Sequence, residues 1–375
     1  MYPSLRTFPR IIVIKTFFKD EEIIHDLFAC SLLVCTTAMS QKKERAVWSK
    51  EKANAWYAKL PWMVGADYIP ASAINQLEMW QAESFDSAQI DKELGWAEGI
   101  GMNVMRVYLH HLAWQVDPAG FKKRVNTYLN IAGKHGIKTV FVLFDDCWNN
   151  TYKAGKQPVP KTGVHNSGWV QDPGMLSFMD LNYMNSLEKY VKDVLQAFRN
   201  DNRILLWDVY NEPGNSGLRN HSMPLLKNTF SWGRQVDPSQ PLSAGVWSLD
   251  LKELNAFQLQ QSDVITYHNY HKPDVHQRWI DSFLVQTGKP LICTEYMART
   301  RGSLFHEILP ILKKHKIAAI NWGLVAGKSN TIYAWDTPMP EGGEPKVWFH
   351  DIFRPDGTPY DPRETAFIKE ITGKK

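Results

Sequence analysis

The chain is predicted to fold as a single-domain α/β structure, a (β/α)₈ TIM barrel. Three observations predict it. Eight short apolar runs alternate with helical stretches, no second domain interrupts the alternation, and the long irregular segments follow strands rather than helices. The 375 residues suit one barrel of this kind, whose usual size is roughly 250 residues and grows with insertions.

The runs read as strands are Trp62–Asp67, Asn103–Leu109, Lys138–Phe144, Ile204–Tyr210, Leu242–Trp247, Val264–Tyr270, Pro290–Tyr296 and Ala318–Gly323. Most are apolar almost throughout, as parallel strands buried on both faces are. Between and after them lie helical stretches: Ser87–Gly99, Phe121–His135 (stopped by Gly136), Leu181–Phe198, Met223–Gln235, Leu249–Gln260, Val275–Thr287, Ser303–His315 and Pro362–Ile371. A doubly wound open sheet would carry a glycine-rich phosphate loop after its first strand, and Gly65-Ala66-Asp67 is not one. Helix-to-strand connections are brief, as at His135-Gly136-Ile137, whereas Asp145–Asp180 and Ala326–Pro362 follow strands three and eight. In a barrel these long loops lie on the C-terminal face, where active sites are built.

Residues 1–40 read as a signal peptide or an N-terminal extension, and 41–375 as the barrel. Leu27–Met39 is an apolar run ending in a small-x-small pattern before Gln41, long enough for a signal core and too short to span a bilayer. The charged stretch Lys19-Asp20-Glu21-Glu22 before it is unusual for a leader, and a start codon downstream of Met1 would account for it. The expected location is secreted or periplasmic; lipid attachment at Cys30 or Cys35 fits less well. Beyond residue 40 only Cys147 and Cys293 remain, too few for a disulfide framework or a cysteine metal site. A net charge of +4 without a basic block gives no electrostatic case for nucleic acid. No membrane span is expected, and the chain is read as a monomer.

Strand four ends in Trp207-Asp208-Val209-Tyr210-Asn211-Glu212-Pro213, and strand seven in Ile292-Cys293-Thr294-Glu295-Tyr296. Strands four and seven face each other across a barrel mouth, so Glu212 and Glu295 can reach one ligand. Cleavage of a glycosidic bond needs two such carboxyl groups, one to protonate the leaving oxygen and one to attack the anomeric carbon or activate water. The acid has to hold its proton near neutrality, while its partner has to be ionised. Arg106, near the tip of strand two, is the natural cation for the ionised partner, and Tyr270 on strand six a natural hydroxyl donor. The 15 tryptophans offer faces for sugar rings or filling for the core. Trp207 is read as core, Asp208 as the partner in a structural hydrogen bond or salt bridge, and Trp148 and Trp169 as stacking platforms in the third long loop. Trp335 and Asp336 stand as candidate cleft walls, and Asn75-Gln76-Leu77-Glu78-Met79-Trp80 either lines a subsite or forms a helical turn over a buried Trp80.

With Asn-Glu-Pro ending strand four and Glu ending strand seven, the chain resembles glycoside hydrolase family 5 and its wider clan of retaining barrel enzymes, over about Trp62 to Trp322. The resemblance implies that Glu212 is the acid/base and Glu295 the nucleophile. It also implies that Asn211 contacts the sugar 2-hydroxyl, that Arg106 and the pair His268 and Tyr270 complete the site, and that Trp322 stacks under the sugar. One departure stands out: where the family usually has histidine near the end of strand three, this chain reads Phe144-Asp145-Asp146-Cys147-Trp148. Asp145 and Asp146 are expected to bind sugar hydroxyls or to raise a neighbour's pKa, with His110 and His111 taking over part of the histidine's role. The expected activity is retaining hydrolysis of a β-linked glycan, such as the β-1,4-linked plant polysaccharides xylan, mannan or glucan. The alternatives are an exo-acting β-glycosidase on oligosaccharides and a non-catalytic carbohydrate-binding barrel. No cofactor or metal is expected, since His268 and His271 lack the carboxylate pattern of an open metal site.

Overall fold

The computed structural model describes residues 44–174 and 181–375. The signal-peptide reading of residues 1–40, with Cys30 and Cys35, lies outside the described residues.

Among the described residues eight parallel strands form one sheet: β1 Val64–Asp67, β2 Val104–Tyr108, β3 Lys138–Val142, β4 Ile204–Asp208, β5 Leu242–Ser243, β6 Ile265–His268, β7 Leu291–Glu295 and β8 Ala318–Trp322. Their order is β5-β4-β3-β2-β1-β8-β7-β6, so the first and last strands in sequence are neighbours, as barrel closure requires. The seam between β5 and β6 closes on a single parallel bridge, Val246 to Tyr267, held by Val246 N–H donating to the Thr266 carbonyl at 3.1 Å and His268 N–H to the Val246 carbonyl at 3.0 Å. The expected fifth strand, Leu242–Trp247, is thus shorter in fact. Its first two residues pair with β4 and Val246 pairs with β6, and Gly245 sits where the chain changes neighbours. At Gly65 a Cβ would meet the Val104 carbonyl oxygen at 1.6 Å, so only glycine permits the approach of β1 to β2.

Helices alternate with the strands: α1 Lys50–Tyr57, α2 Gln76–Trp80, α3 Ser87–Gly99, α4 His111–Val116, α5 Pro118–Lys134, α6 Leu181–Phe198, α7 Met223–Val236, α8 Lys252–Gln261, α9 Pro273–Thr287, α10 Phe305–Lys314 and α11 Pro362–Thr372. The sequence pattern located all but α1, α2 and α4, which are short. The boundaries follow local chemistry. Asp117 caps α5 by accepting from Gly120 N–H at 2.9 Å, with Pro118 at the first helical position, and α9 stops at Gly288, whose φ of 60° is left-handed.

Two apolar layers hold the barrel. The larger lies between strands and helices and includes Leu94, Phe121, Tyr128, Leu187, Trp207, Phe230, Tyr267 and Leu309. The smaller fills the lower barrel interior with Met63, Val104, Val140, Leu206, Ile292 and Ile320, and is closed from below by Trp48, Ala53 and Trp56 around α1. Polar ties fix this plug: Trp48 N–H donates to Asp263 at 2.8 Å, and the Tyr57 hydroxyl donates to the Lys316 carbonyl at 2.7 Å and accepts from Ala318 N–H at 2.8 Å. With the bottom packed, the open end is the C-terminal face. Among the described residues no helix is long and apolar enough to cross a membrane.

Candidate active site

Strand ends define the site. Arg106 and Tyr108 are two residues apart on β2, so both side chains point into the barrel. Arg106, fully buried, donates to Asp67 at 2.7 Å, to Asp208 at 2.8 and 3.0 Å, to the Asn211 side-chain oxygen at 2.6 Å and to Glu295 Oε1 at 2.9 Å. Burial alone would pull the guanidinium pKa down, but Tyr108, Asp67, Asp208 and Glu295 around it hold the group charged and raise its pKa. Asp208 is the salt-bridge partner the sequence implied. Glu295, at the tip of β7, accepts two further hydrogen bonds, from the Tyr108 hydroxyl on Oε1 at 2.9 Å and from the Tyr270 hydroxyl on Oε2 at 2.8 Å, and His268 Nδ1 lies 3.4 Å from Oε2. Burial and the Glu295 charge push the Tyr270 phenol well up, so it stays a donor.

Glu212 sits on a sharp turn after β4. Asn211 N–H donates to the Phe144 carbonyl at 2.7 Å, and Glu212 then adopts φ 44°, a left-handed backbone that costs on the order of 1–3 kcal/mol for a residue with a Cβ. The turn aims its carboxyl at the mouth. Oε1 lies 2.8 Å from His268 Nδ1, and Oε2 accepts from the Cys147 thiol at 3.2 Å and from the Asn215 amide. Burial raises the Glu212 pKa from its ordinary value, opposed by the hydrogen bonds from Cys147 and Asn215 and by the Arg106 charge. Burial also lowers His268 to about 4, so the imidazole is neutral near pH 7. An oxygen of Glu212, an oxygen of Glu295 and a nitrogen of His268 all lie within 4.8 Å of one another. Both carboxyls border one cavity of ≈ 580 Å³, together with Asn211, His268, Tyr270, Trp322 and Trp148.

For Asp145 and Asp146 the sugar-binding expectation is corrected, while the expected rise of a neighbour's pKa holds: on top of burial, Asp145 raises that of Cys147 and Asp146 that of Tyr210. Both are buried and neither borders the cavity. Asp145 accepts from Trp169 Nε1 at 2.7 Å, Asn211 Nδ2 at 2.9 Å and Cys147 N–H at 2.9 Å. Asp146 accepts from the Tyr210 hydroxyl at 2.6 Å, from Gly214 N–H at 2.7 Å and from Ser222. Burial lifts Asp145 to about 7 and Asp146 to about 6. They brace the tip of β4 and leave no oxygen for a sugar hydroxyl. Trp169 is likewise buried rather than a stacking surface, and His110 and His111 lie against Asp172, away from the cavity. His110, His111 and Asp172 could be read as a metal cluster, but each ring nitrogen already has a protein partner, among them Leu112 N–H, the Gln171 carbonyl and the Tyr183 hydroxyl. Asn75-Gln76 starts α2, Trp80 is fully buried, and none of that segment borders the cavity.

Three participants escaped the sequence reading. Tyr108 was within reach, since it shares a face with Arg106 at i+2. Cys147 carried no signal, because its role arises only where the tips of β3 and β4 meet. His350, a buried residue that also borders the cavity, lies in the long loop after β8, which has no periodicity to read.

With this geometry in view, the chain can be set beside known proteins. A family model for the TIM barrel domain of glycosyl hydrolases family 2 matches residues 174–318, a stretch that contains both glutamates. No curated protein matches the sequence. Solved structures do match. The GH5_18 protein of Streptomyces cattleya in complex with GlcNAc aligns with a TM-score of 0.56 at 10% identity, over 83% of this chain and 80% of that one. The exo-β-1,4-mannosidase Op5Man5 from Opitutaceae bacterium strain TAV5 gives 0.56 at 16% identity, over 83% and 59% of the two chains. The endo-β-1,4-mannanase of Thermotoga petrophila gives 0.52 at 15%, over 83% and 76%. The fold is the one these glycosidases share.

Proposed function

We propose that the protein is a retaining glycoside hydrolase acting on β-1,4-linked glycans, with Glu212 as acid/base and Glu295 as nucleophile. The observation that carries this reading is the convergence of the two carboxyls, with oxygens within 4.8 Å, on one cavity where their surroundings differ. Retaining enzymes hold the pair about 5–5.5 Å apart, whereas inverting enzymes leave about 6.5–9.5 Å for a water. A non-catalytic binding barrel would have no use for a partly buried, strained acid opposite a carboxylate braced by a guanidinium and two phenols.

The chemistry follows from the contacts. In the first step Glu295 attacks the anomeric carbon, the bond to the leaving oxygen breaks, and Glu212 passes its proton to that oxygen. In the second, Glu212 takes a proton from water, the water oxygen bonds to the anomeric carbon, and Glu295 leaves as carboxylate. Two inversions give net retention, and no cofactor enters the balance. Trp322, on the cavity wall, offers an indole face to the sugar. Two of the three similar structures named above are an exo-β-1,4-mannosidase and an endo-β-1,4-mannanase, which makes β-mannosidic bonds the first substrates to try, ahead of glucan and xylan. Secretion belongs to the same reading, supported by the apolar run Leu27–Met39, and so does action as a monomer; recovery of the protein outside the cell tests the first point and its size by light scattering the second.

Proton NMR of the first-formed product tests the proposal. The β-anomer is expected before mutarotation. Glu295→Ala should abolish turnover and regain it with azide as an α-glycosyl azide. An α-sugar as first product, or full turnover by Glu295→Ala, would overturn the assignment.

A further inference from the structure

The cavity is walled on one side and open on the other. The loop after β3 and the loop after β8 are laced together across the barrel mouth. Asn166 N–H donates to the Ser329 carbonyl at 2.8 Å, Met339 N–H to the Gly163 carbonyl at 3.0 Å, and His165 Nδ1 lies 2.8 Å from the Tyr333 carbonyl. The segment after β1 joins the same wall: Asn75 Nδ2 donates to the Gly168 carbonyl at 2.9 Å, and Lys328 pairs with Glu78 at 2.7 Å. The lacing is close enough that a Cβ on Gly163 would meet the Met339 carbonyl oxygen at 1.7 Å. Across the mouth, β5 and β6 are followed by short connections to α8 and α9, which leave half-exposed Trp247 at the rim.

The wall stands on the glycone side. Glu212 protonates the leaving oxygen, so the departing sugar lies toward Glu212 and its neighbour Asn215. The sugar attacked by Glu295 lies toward Tyr270, whose ring packs against Trp335 at 5.1 Å and His350 at 5.6 Å. Beyond those rings stand His165, 5.4 Å from His350, and Trp148, 5.3 Å from His165. His350 is fully buried yet borders the cavity. Its Nδ1 is 2.7 Å from the Met297 carbonyl, which makes Nδ1 the protonated nitrogen, and its Nε2 is a buried acceptor with no partner among the described residues. Burial holds this imidazole well below its ordinary pKa, so the acceptor is present at neutral pH. Such an atom is costly unless a ligand donor meets it, and a sugar hydroxyl at a chain end is such a donor.

We infer that the enzyme acts at the non-reducing chain end: the wall of the β3 and β8 loops, buttressed from behind by the segment after β1, admits one glycone residue, whose terminal hydroxyls are read by His350 under the Trp335 edge. This rests on the hydrolytic reading above.

The test uses the wild-type protein on 4-nitrophenyl β-monoglycosides of mannose, glucose and xylose, and on the matching β-1,4-pentasaccharides labelled at the reducing end. Chain-end action predicts hydrolysis of one monoglycoside, and labelled products that shorten one residue at a time, tetrasaccharide first. His350→Ala is expected to raise KM for that monoglycoside about 3- to 10-fold, the worth of one neutral hydrogen bond, with kcat changed less. Gly163→Val, which breaks the lacing, should add labelled di- and trisaccharide as early products. Early internal products from the wild-type protein, with the monoglycosides untouched, would overturn the inference while leaving the hydrolytic assignment standing. Absence of hydrolysis on every substrate would overturn both.

Discussion

Removing one oxygen from Tyr270 should separate the two halves of the reaction. Its hydroxyl donates to Glu295 Oε2 at 2.8 Å, and its ring is held independently by Trp335 and His350, so Tyr270→Phe keeps the packing and loses the donor. In the first step Glu295 gives up charge as it bonds to the anomeric carbon. In the second it leaves as carboxylate and regains that charge, so the donor helps departure most. A hydrogen bond to a charged group is worth about 1.5–3 kcal/mol, which corresponds to roughly 10- to 150-fold in the rate of the second step. With a dinitrophenyl glycoside, whose leaving group makes the first step fast, the variant should show a stoichiometric burst of phenol and then a slow steady state. KM should fall in parallel, and mass spectrometry should find the protein heavier by one glycosyl residue. A steady-state kcat within twofold of the wild-type value, or a loss confined to the first step, would refute the role given to this contact.

Other consequences follow from the same contacts. Cys147, kept as a thiol because burial pushes its pKa up, donates to Glu212 and opposes the rise of the Glu212 pKa. Cys147→Ala should therefore let Glu212 hold its proton to higher pH and move the basic limb of the kcat/KM profile upward; a downward move would contradict the assignment. Asp145→Ala should cost activity through Asn211 and Trp169, which it holds from behind, with kcat falling more than substrate affinity in a steady-state comparison. Trp48→Ala, which unplugs the lower barrel, should lower unfolding stability by about 3–5 kcal/mol in urea titrations while leaving KM unchanged.

The features legible in the sequence were those carried by period and position. Continuous apolar runs marked the strands, and helical spacing marked α3 and α5 to α11 to within a few residues. The two glutamates and Arg106 stood out because strand tips on one barrel face converge whatever the loops do. What resisted reading depended on contacts between distant segments. β5 is cut short because the chain passes from β4 to β6 around Gly245, which no local pattern reports. Asp145 and Asp146 look like ligand groups in the sequence, and only the approach of Trp169, Asn211, Tyr210 and Ser222 turns them into buried braces. The pairing of Cys147 with Glu212 spans 65 positions, and the wall of the cavity joins two long loops without periodicity.

A 2-deoxy-2-fluoroglycosyl fluoride of the preferred sugar probes the convergence of the two carboxyls most directly, because it stalls a retaining enzyme after the first step. Peptide mapping of the inactivated protein should place the fluorosugar on Glu295, with Glu212 unmodified. A label on Glu212, or undiminished turnover of the natural substrate with Glu295 unlabelled, would contradict the account.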